Sequence, residues 1–441
     1  MRREAREAIA VLGLLALVAA TAGCGTTGDG PPGSPAGAAA QAAPLSGRTE
    51  DSFYTYPDQS VIDRAAPGDI LRSQPIPTPA SFLLSSVVSR AERIMYRTAD
   101  EHGRPVAATG FLLVPRGTPP DKDGWPVISW AHGTTGLASH CAPSRSASLG
   151  GVTPLLLDWL RNGFAVAAAD YPGLGPEGRL SSYLSLRAEG LSIAHAALAA
   201  RHAGGNTVGR KWFAVGISQG GQAALAAGEW AASAKGMQFM GTAAMAPASH
   251  LDEAMQTMAQ KQNAGESLLG LRGLLTYIAV GAHVYDPAKF PYPALLSPKV
   301  AGELTKPGVE NLCLDEIEGY LALFAPEKDA GTLNPALAQL TPVIRTYLES
   351  LNPAQRTSSG PILIQQGEDD VVVLPQRTTE LIGELCAKND SVDWRTYPRT
   401  DHAGVAIAGH DDLNTWLKNR LEHTPPRNHC EPRTPHPTHG K

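Results

Sequence analysis

From residue 105 onward the chain repeats one pattern: a short apolar run, a turn, then a helical stretch. The runs at 106–114, 127–131, 164–169, 212–217, 238–245, 362–366 and 392–397 read as strands. Several are almost continuously apolar, as expected where both faces of a strand are covered. The stretches 154–161, 185–203, 222–232, 378–387 and 411–421 read as helices. This alternation predicts an α/β fold, with a mostly parallel central sheet and helices on both faces. Residues 91–97 and 106–114, separated by Gly103, are expected to form an antiparallel hairpin on the sheet edge.

Between Met245 and Pro361 the rhythm stops, and no convincing strand appears for more than a hundred residues. Residues 251–262, 267–283, 314–323 and 335–351 read as helices, so an inserted helical cap is expected at about 246–360. Segment 267–283 (SLLGLRGLLTYIAVGAH) is strongly apolar but is interrupted by Arg272. Packing against neighbouring cap helices is the first reading of that segment; a face lining a pocket or meeting lipid is the second.

The start of the chain reads as an address. Arg2, Arg3 and Arg6 precede an apolar core at residues 8–20. Roughly 16 apolar or small residues precede Cys24, short of the ~20 that a spanning helix needs. Residues 1–23 are therefore expected to be an export signal. Thr21, Ala22, Gly23 and Cys24 resemble the lipobox of bacterial lipoproteins, in which the cysteine is acylated and becomes the new N-terminus. Thr21 stands where leucine is usual, and ordinary cleavage after Ala22 is the alternative. Of five cysteines, assigning Cys24 to lipid leaves four (5 − 1), an even number suited to an oxidising compartment. Residues 24–50 are rich in Gly, Pro, Ala, Ser and Thr and read as a tether; 425–441, with His429, His436 and His439, read as a solvated tail. The folded part is then 51–424, without an internal repeat.

Composition narrows the choice of class. With 43% hydrophobic and 18% charged residues over 441 positions, the chain can bury a core. Its 45 glycines and 36 prolines have no collagen period. The net charge of −5 and the lack of any basic run longer than two residues argue against nucleic acid as a partner.

The chemistry centres on residues 212–221, WFAVGISQGG. An apolar strand runs into Gly216, Ile217, Ser218, Gln219 and Gly220, and a small-residue helix follows. This is a G-x-S-x-G nucleophile elbow in its required strand–turn–helix context. A serine hydroxyl is a weak nucleophile at neutral pH, so it needs a base, and the base needs an orienting carboxylate. The acid is sought among Glu368, Asp369 and Asp370, after the strand ILIQQ. Asp370 immediately precedes the apolar run 371–374 and is chosen, with Asp369 as its rival. His402, a short loop after VDWRTYP, is chosen as base over His410, which abuts the last helix. An oxyanion needs two preorganised N–H donors. The Gln219 amide is one expectation, and the Thr134 amide, in the loop after the strand PVISW, is the other. His132 precedes the serine and is read as holding that loop. Residues 173–178 match G-x-G-x-x-G literally, but Pro176 lies inside and no helix starts at the end, so a dinucleotide site is rejected. With neither HExxH nor a paired CxxC, no metal is expected.

Taken together, PGDILR (67–72), GFLLVP (110–115), WAHGTTG (130–136), DYPGLG (170–175), GISQGG (216–221), GEDDVVV (367–373) and TDHAG (400–404) resemble the secretory lipase family of α/β-hydrolases, which includes fungal lipases and actinobacterial exported lipases. The resemblance spans about residues 65–422. It implies an α/β-hydrolase fold with a helical cap between nucleophile and acid. It also implies hydrolysis of carboxylic esters, often acylglycerols, without metal or organic cofactor. It further implies the disulfides Cys141 with Cys313 and Cys386 with Cys430. The acidic residue before Asp370 departs from the family pattern and leaves Asp369 or Asp370 open. The expected protein is an exported serine esterase or triacylglycerol lipase. It would be lipid-anchored on the outer face of the cell membrane, or secreted. The competing readings are an acyltransferase or amidase on the same fold, and a non-catalytic lipid-binding surface lipoprotein.

Overall fold

In the computed structural model, residues 52–76, 84–326 and 331–430 are described. The expected signal (1–23), the tether with Cys24, and His436 and His439 lie outside the described residues. One sheet organises the rest. Its strands are β1 (Ile70–Pro75), β2 (Val88–Ala99), β3 (Pro105–Pro115), β4 (Trp125–Ala131), β5 (Ala165–Ala169), β6 (Val208–Ile217), β7 (Gln238–Met245), β8 (Ile362–Gly367) and β9 (Val392–Tyr397). They lie in the order β1-β2-β3-β5-β4-β6-β7-β8-β9. The pairs from β5 across to β9 are parallel, while β1–β2, β2–β3 and β3–β5 are antiparallel.

The alternation along each strand sorts side chains to two faces. Val127 and Ala214 point to one cluster, and Ile128 and Phe213 to the other. On the first face lie helices α2 (Leu186–Gly204) and α3 (Gln219–Glu229); on the second lies α1 (Thr153–Arg161). Ala194, Ala196, Ala197, Ala199 and Ala200 of α2 are all buried, and these small side chains let the helix sit close to the sheet.

Between β7 and β8 the chain forms a helical insertion with its own apolar core. Its principal helices are α4 (Leu251–Asn263), α5 (Arg272–Tyr285), α6 (Leu314–Phe324) and α7 (Pro342–Ser350). After β8 come α8 (Pro375–Ala387), packed on Ile362 and Ile364, and, following β9, α9 (His410–Leu421), whose Leu413, Trp416 and Leu417 complete the second face. Among the described residues no helix is long and apolar enough to cross a membrane.

Four expectations are corrected in detail. The hairpin β2–β3 is not the sheet edge, because β1 pairs outside it. That strand (ILRSQP) carries only two large apolar side chains and is nowhere fully buried, so its apolar pattern was weak. The helix expected from 267 starts at Arg272, and the stretch from 335 divides into a 3-10 turn (Pro335–Ala338) and α7. Pro342 cannot donate to a helix continuing from upstream, and Thr341 caps the new start by accepting from Ile344 N at 3.4 Å. The chain packs on the sheet beyond residue 424, as far as residue 430 where the described residues stop. His429 N donates to Val392 O at 2.8 Å, and Cys430 is bonded to Cys386, so residues 428–430 run beside β9.

Candidate active site

At the carboxyl end of β6 the backbone turns sharply into α3. Ser218 sits at that turn with φ 59° and ψ −122°, a conformation L-residues rarely adopt. Neighbouring backbone holds it there. Ser218 N donates to Met245 O at 2.9 Å, and Ser218 O accepts from Gln222 N at 3.1 Å and Ala248 N at 3.3 Å. Gly220 allows the close approach, since a Cβ at that position would run into the Ala131 carbonyl at the end of β4. Ser218 is thereby presented at the sheet's carboxyl edge, at the positive end of a helix dipole.

The loops after β8 and β9 meet at the same edge. Asp370 is fully buried in its side chain, and its Oδ2 accepts from His402 Nδ1 at 2.8 Å. Three further N–H groups point at the carboxyl. Val372 N and Val373 N reach Oδ1 at 2.9 Å each, and Gln366 Nε2 reaches Oδ2 at 3.0 Å. Gln366 is itself held by Thr378 Oγ1 at 2.7 Å, a contact that brings in α8. All four contacts are made by N–H groups, with the Asp370 carboxylate oxygens as acceptors. An ionised carboxylate only accepts, so the His402 proton lies on Nδ1 and its Nε2 is left as an acceptor. It is Asp370 that the structure brings to His402; Glu368 and Asp369 face solvent. Among the described residues Ser218 Oγ makes no hydrogen bond to His402. His410 instead pairs with Asp158 Oδ2 at 2.9 Å, between α9 and α1.

The loop after β4 runs alongside the elbow. A Cβ placed on Gly133 would lie 3.9 Å from Ser218 Cβ. Thr134, next in the loop, shares a hydroxyl hydrogen bond of 2.5 Å with Tyr183. Gln219 is the first residue of α3, so its amide has no carbonyl within the helix to donate to. His132 is buried, its Nδ1 donates to Gly133 O at 2.6 Å, and its ring stacks on Tyr171 at 4.4 Å. Burial lowers its pKa, which keeps the imidazole neutral and suits a holding role. Residues 173–178 form a loop, tied through Gly175 N to Ser139 O at 3.1 Å.

Both implied disulfides are present. Cys141–Cys313 (Cα–Cα 5.5 Å) joins the segment after the β4 loop to the start of α6. The same junction carries a bridge between Gly136 and Cys313 and a bond from Leu314 N to Thr135 O at 3.0 Å. Cys386–Cys430 (Cα–Cα 5.2 Å) ties α8 to the chain beyond α9. Among the described residues, one group has metal-ligand spacing, His140 with Cys141 and Cys313. Its two sulfurs are consumed in the first disulfide.

Two residues of the site escaped sequence reasoning, Tyr183 and Glu189. Glu189 is buried in α2, and its Oε1 accepts from Gln219 Nε2 and from Leu184 N, each at 2.8 Å. A signal was available: the helix LRAEGLSIAHAALAA is apolar or small on nearly every side, so its single acid had no solvent face to occupy.

Comparisons with known proteins agree with this architecture. The prolyl oligopeptidase family model matches residues 330–424, the stretch that carries Asp370 and His402. Lipase A of Moesziomyces aphidis is 24% identical over 408 residues, covering 88% of this chain and 83% of the relative. The closed-state structure of Candida antarctica lipase A superposes with a TM-score of 0.67 at 20% identity, covering 86% of this chain and 87% of that one. The rice cell wall degrading esterase LipA from Xanthomonas oryzae, in a ligand-bound form, gives 0.64 at 18% identity, covering 82% and 100%. The chain is a serine hydrolase of the α/β-hydrolase fold, built on the plan shared by these lipases and esterases.

Proposed function

We propose that the protein is an exported carboxylic-ester hydrolase, an esterase or triacylglycerol lipase, acting through an acyl-enzyme. The observation that carries this is the buried Asp370 on His402 Nδ1, at the same sheet edge as the strained Ser218 elbow. Ser218 Oγ attacks the ester carbonyl while His402 Nε2 takes its proton. Asp370 holds the imidazole in the Nδ1–H tautomer and stabilises the imidazolium that forms. The oxyanion is received by the Gln219 and Thr134 amides. His402 then gives its proton to the leaving alcohol, and water, activated in the same way, releases the acid. Bond orientation on Nε2 tightens when substrate fills the site.

Lipase and esterase relatives support an ester substrate. The two disulfides suit an oxidising compartment, and the signal reading of residues 1–23 supplies the route there. Acylation of Cys24 would then place the enzyme on the outer face of the membrane. Ser218→Ala should abolish hydrolysis of short and medium nitrophenyl esters in a folded protein; persistent turnover would overturn the reading. Incorporation of labelled fatty acid that disappears in Cys24→Ala would support the anchor, and equal labelling of both would exclude it.

A further inference from the structure

The two amides proposed to receive the oxyanion belong to residues whose side chains are held by one short stretch of chain. Tyr183 OH meets Thr134 Oγ1 at 2.5 Å, and Glu189, six residues on, meets Gln219 Nε2 at 2.8 Å. The Tyr183 ring packs edge-on against Tyr277 of α5 at 5.9 Å, and Gly281 of the same helix lies against the Tyr183 backbone. The cap therefore backs one side of this grip, and α2 forms the other.

The Glu189–Gln219 contact leaves two atoms unanswered. Glu189 Oε2 and Gln219 Oε1 are both buried and neither has a hydrogen-bond partner. Both are acceptors when the carboxyl is ionised, and an unsatisfied buried acceptor is costly. A planar acid and a planar amide can meet in a ring of two hydrogen bonds. One of the two, Gln219 Nε2 to Glu189 Oε1, is already present. A proton on Glu189 Oε2, donated to Gln219 Oε1, closes the ring and answers both atoms at once.

We propose that Glu189 is a positioning residue: as a neutral acid paired with the Gln219 side chain, it fixes the first turn of α3 so that the Gln219 N–H points at the forming oxyanion. Its surroundings favour the neutral form. Burial pushes the Glu189 carboxyl up to about 8, while bonds from Gln219 and Leu184 pull the other way. The titratable groups that feel it are the phenols of Tyr171 and Tyr183, both raised chiefly by burial and so uncharged themselves. No ion pair reaches Glu189 among the described residues. Ionisation of Glu189 removes the Oε2 donor and sets a negative charge behind the site where negative charge must develop. Turnover then falls on the alkaline side for a reason separate from His402.

The proposal rests on Ser218 as nucleophile and Gln219 as oxyanion donor. Ser218→Ala is run in parallel, and activity surviving there means that reading has failed, independently of Glu189. With that control passed, kcat and KM for a nitrophenyl ester are measured from pH 6 to 10 in the full chain. Wild type should lose kcat above pH of about 8. Glu189→Ala should lower kcat by about 10–100-fold at pH 7 with KM within about twofold, below the ~10²–10³ of deleting an oxyanion donor outright. Glu189→Gln, which can still accept at one atom and donate at the other, should recover most of that loss and lack the alkaline fall. An unchanged alkaline limb in Glu189→Gln, or full kcat in Glu189→Ala, overturns the proposal. Should Glu189→Ala fail to fold, the pH profile of Glu189→Gln decides.

Discussion

The sheet and the cap each enclose an apolar core, yet they satisfy their buried backbone by different means. In the sheet, strands β4 to β8 answer one another's N–H and C=O groups, and the side chains are left free to pack. The cap has short helices and bent connections, so buried polar side chains do that work. Arg272, almost wholly buried, donates to Thr332 Oγ1 at 2.8 Å, to Leu321 O at 3.3 Å and to Ala325 O, closing the carboxyl end of α6. Gln262 accepts from Thr332 N at 2.7 Å and Leu333 N at 2.9 Å and donates to Leu333 O at 2.8 Å. A repeating fold is held by pattern, whereas an irregular insertion is held by individual side chains. The proposed catalytic groups come from loops rooted in the first region, while the second presses on them through Cys313, Leu314 and Gly281.

That contrast can be broken at several points. The largest effect is expected at the sheet edge. Asp370→Asn should lower kcat by about 10⁴-fold without loss of folding, because an amide at that place favours the wrong histidine tautomer. Asp369→Asn, at a solvent-facing neighbour, should stay within about twofold; equal losses in both would reopen the choice of acid.

Next comes the tie between regions. Cys141→Ser with Cys313→Ser should cost about 2–5 kcal/mol. The loss should appear first as proteolytic cleavage in the cap, followed by lower kcat as the loop bearing Thr134 loosens. Unchanged protease resistance would show that the bridge at Gly136 and Cys313 suffices without the covalent bond.

Within the cap, Arg272→Met keeps most of the side-chain volume but leaves the Leu321 and Ala325 carbonyls without this donor. A loss of about 2–4 kcal/mol is expected. Hydrogen exchange should show it in α5 and α6 while β4 to β8 stay protected. Uniform loss across both regions would mean that cap and sheet unfold as one unit.

The smallest effect belongs to the sheet side. His195, buried in α2 against Thr98 Oγ1 at 2.9 Å, has its pKa lowered to about 4, chiefly by burial and then by the charge of Arg97. Its folded-state value lies below its unfolded one. The stability it contributes is therefore present above pH of about 6.5 and is lost as pH falls toward 4. His195→Asn should flatten the acid limb of the stability curve by roughly 1–3 kcal/mol, read by chemical denaturation across that window.

Much of the sheet was legible because a strand buried on both faces writes a continuous apolar run, as in 165–169 or 212–217. β1 was not, since an edge strand with half-exposed side chains writes no such run. In the cap the helices were visible as helices, but their limits at Arg272 and Pro342 depended on caps and tertiary partners. Among the site residues, Ser218 and His402 announce themselves by local context and chain order. Sequence favours Asp370 over Asp369 only by its place before the apolar run; burial and the bond to His402 are what support it as the proposed acid.

Sequence by itself determined the mostly parallel α/β plan, the strand–turn–helix elbow at Ser218 and the place of His402, the proposed base, just past a strand. Each of these depends on neighbours within a few residues: apolar periodicity, glycines flanking a turn, a histidine just past a strand. Tertiary structure alone decided that Asp370 faces His402 and that Arg272 closes α6. It also decided that Glu189 stands behind Gln219, 30 residues away in the chain. Those contacts join segments far apart in sequence, and a buried polar atom is satisfied only by whichever group the fold delivers to it.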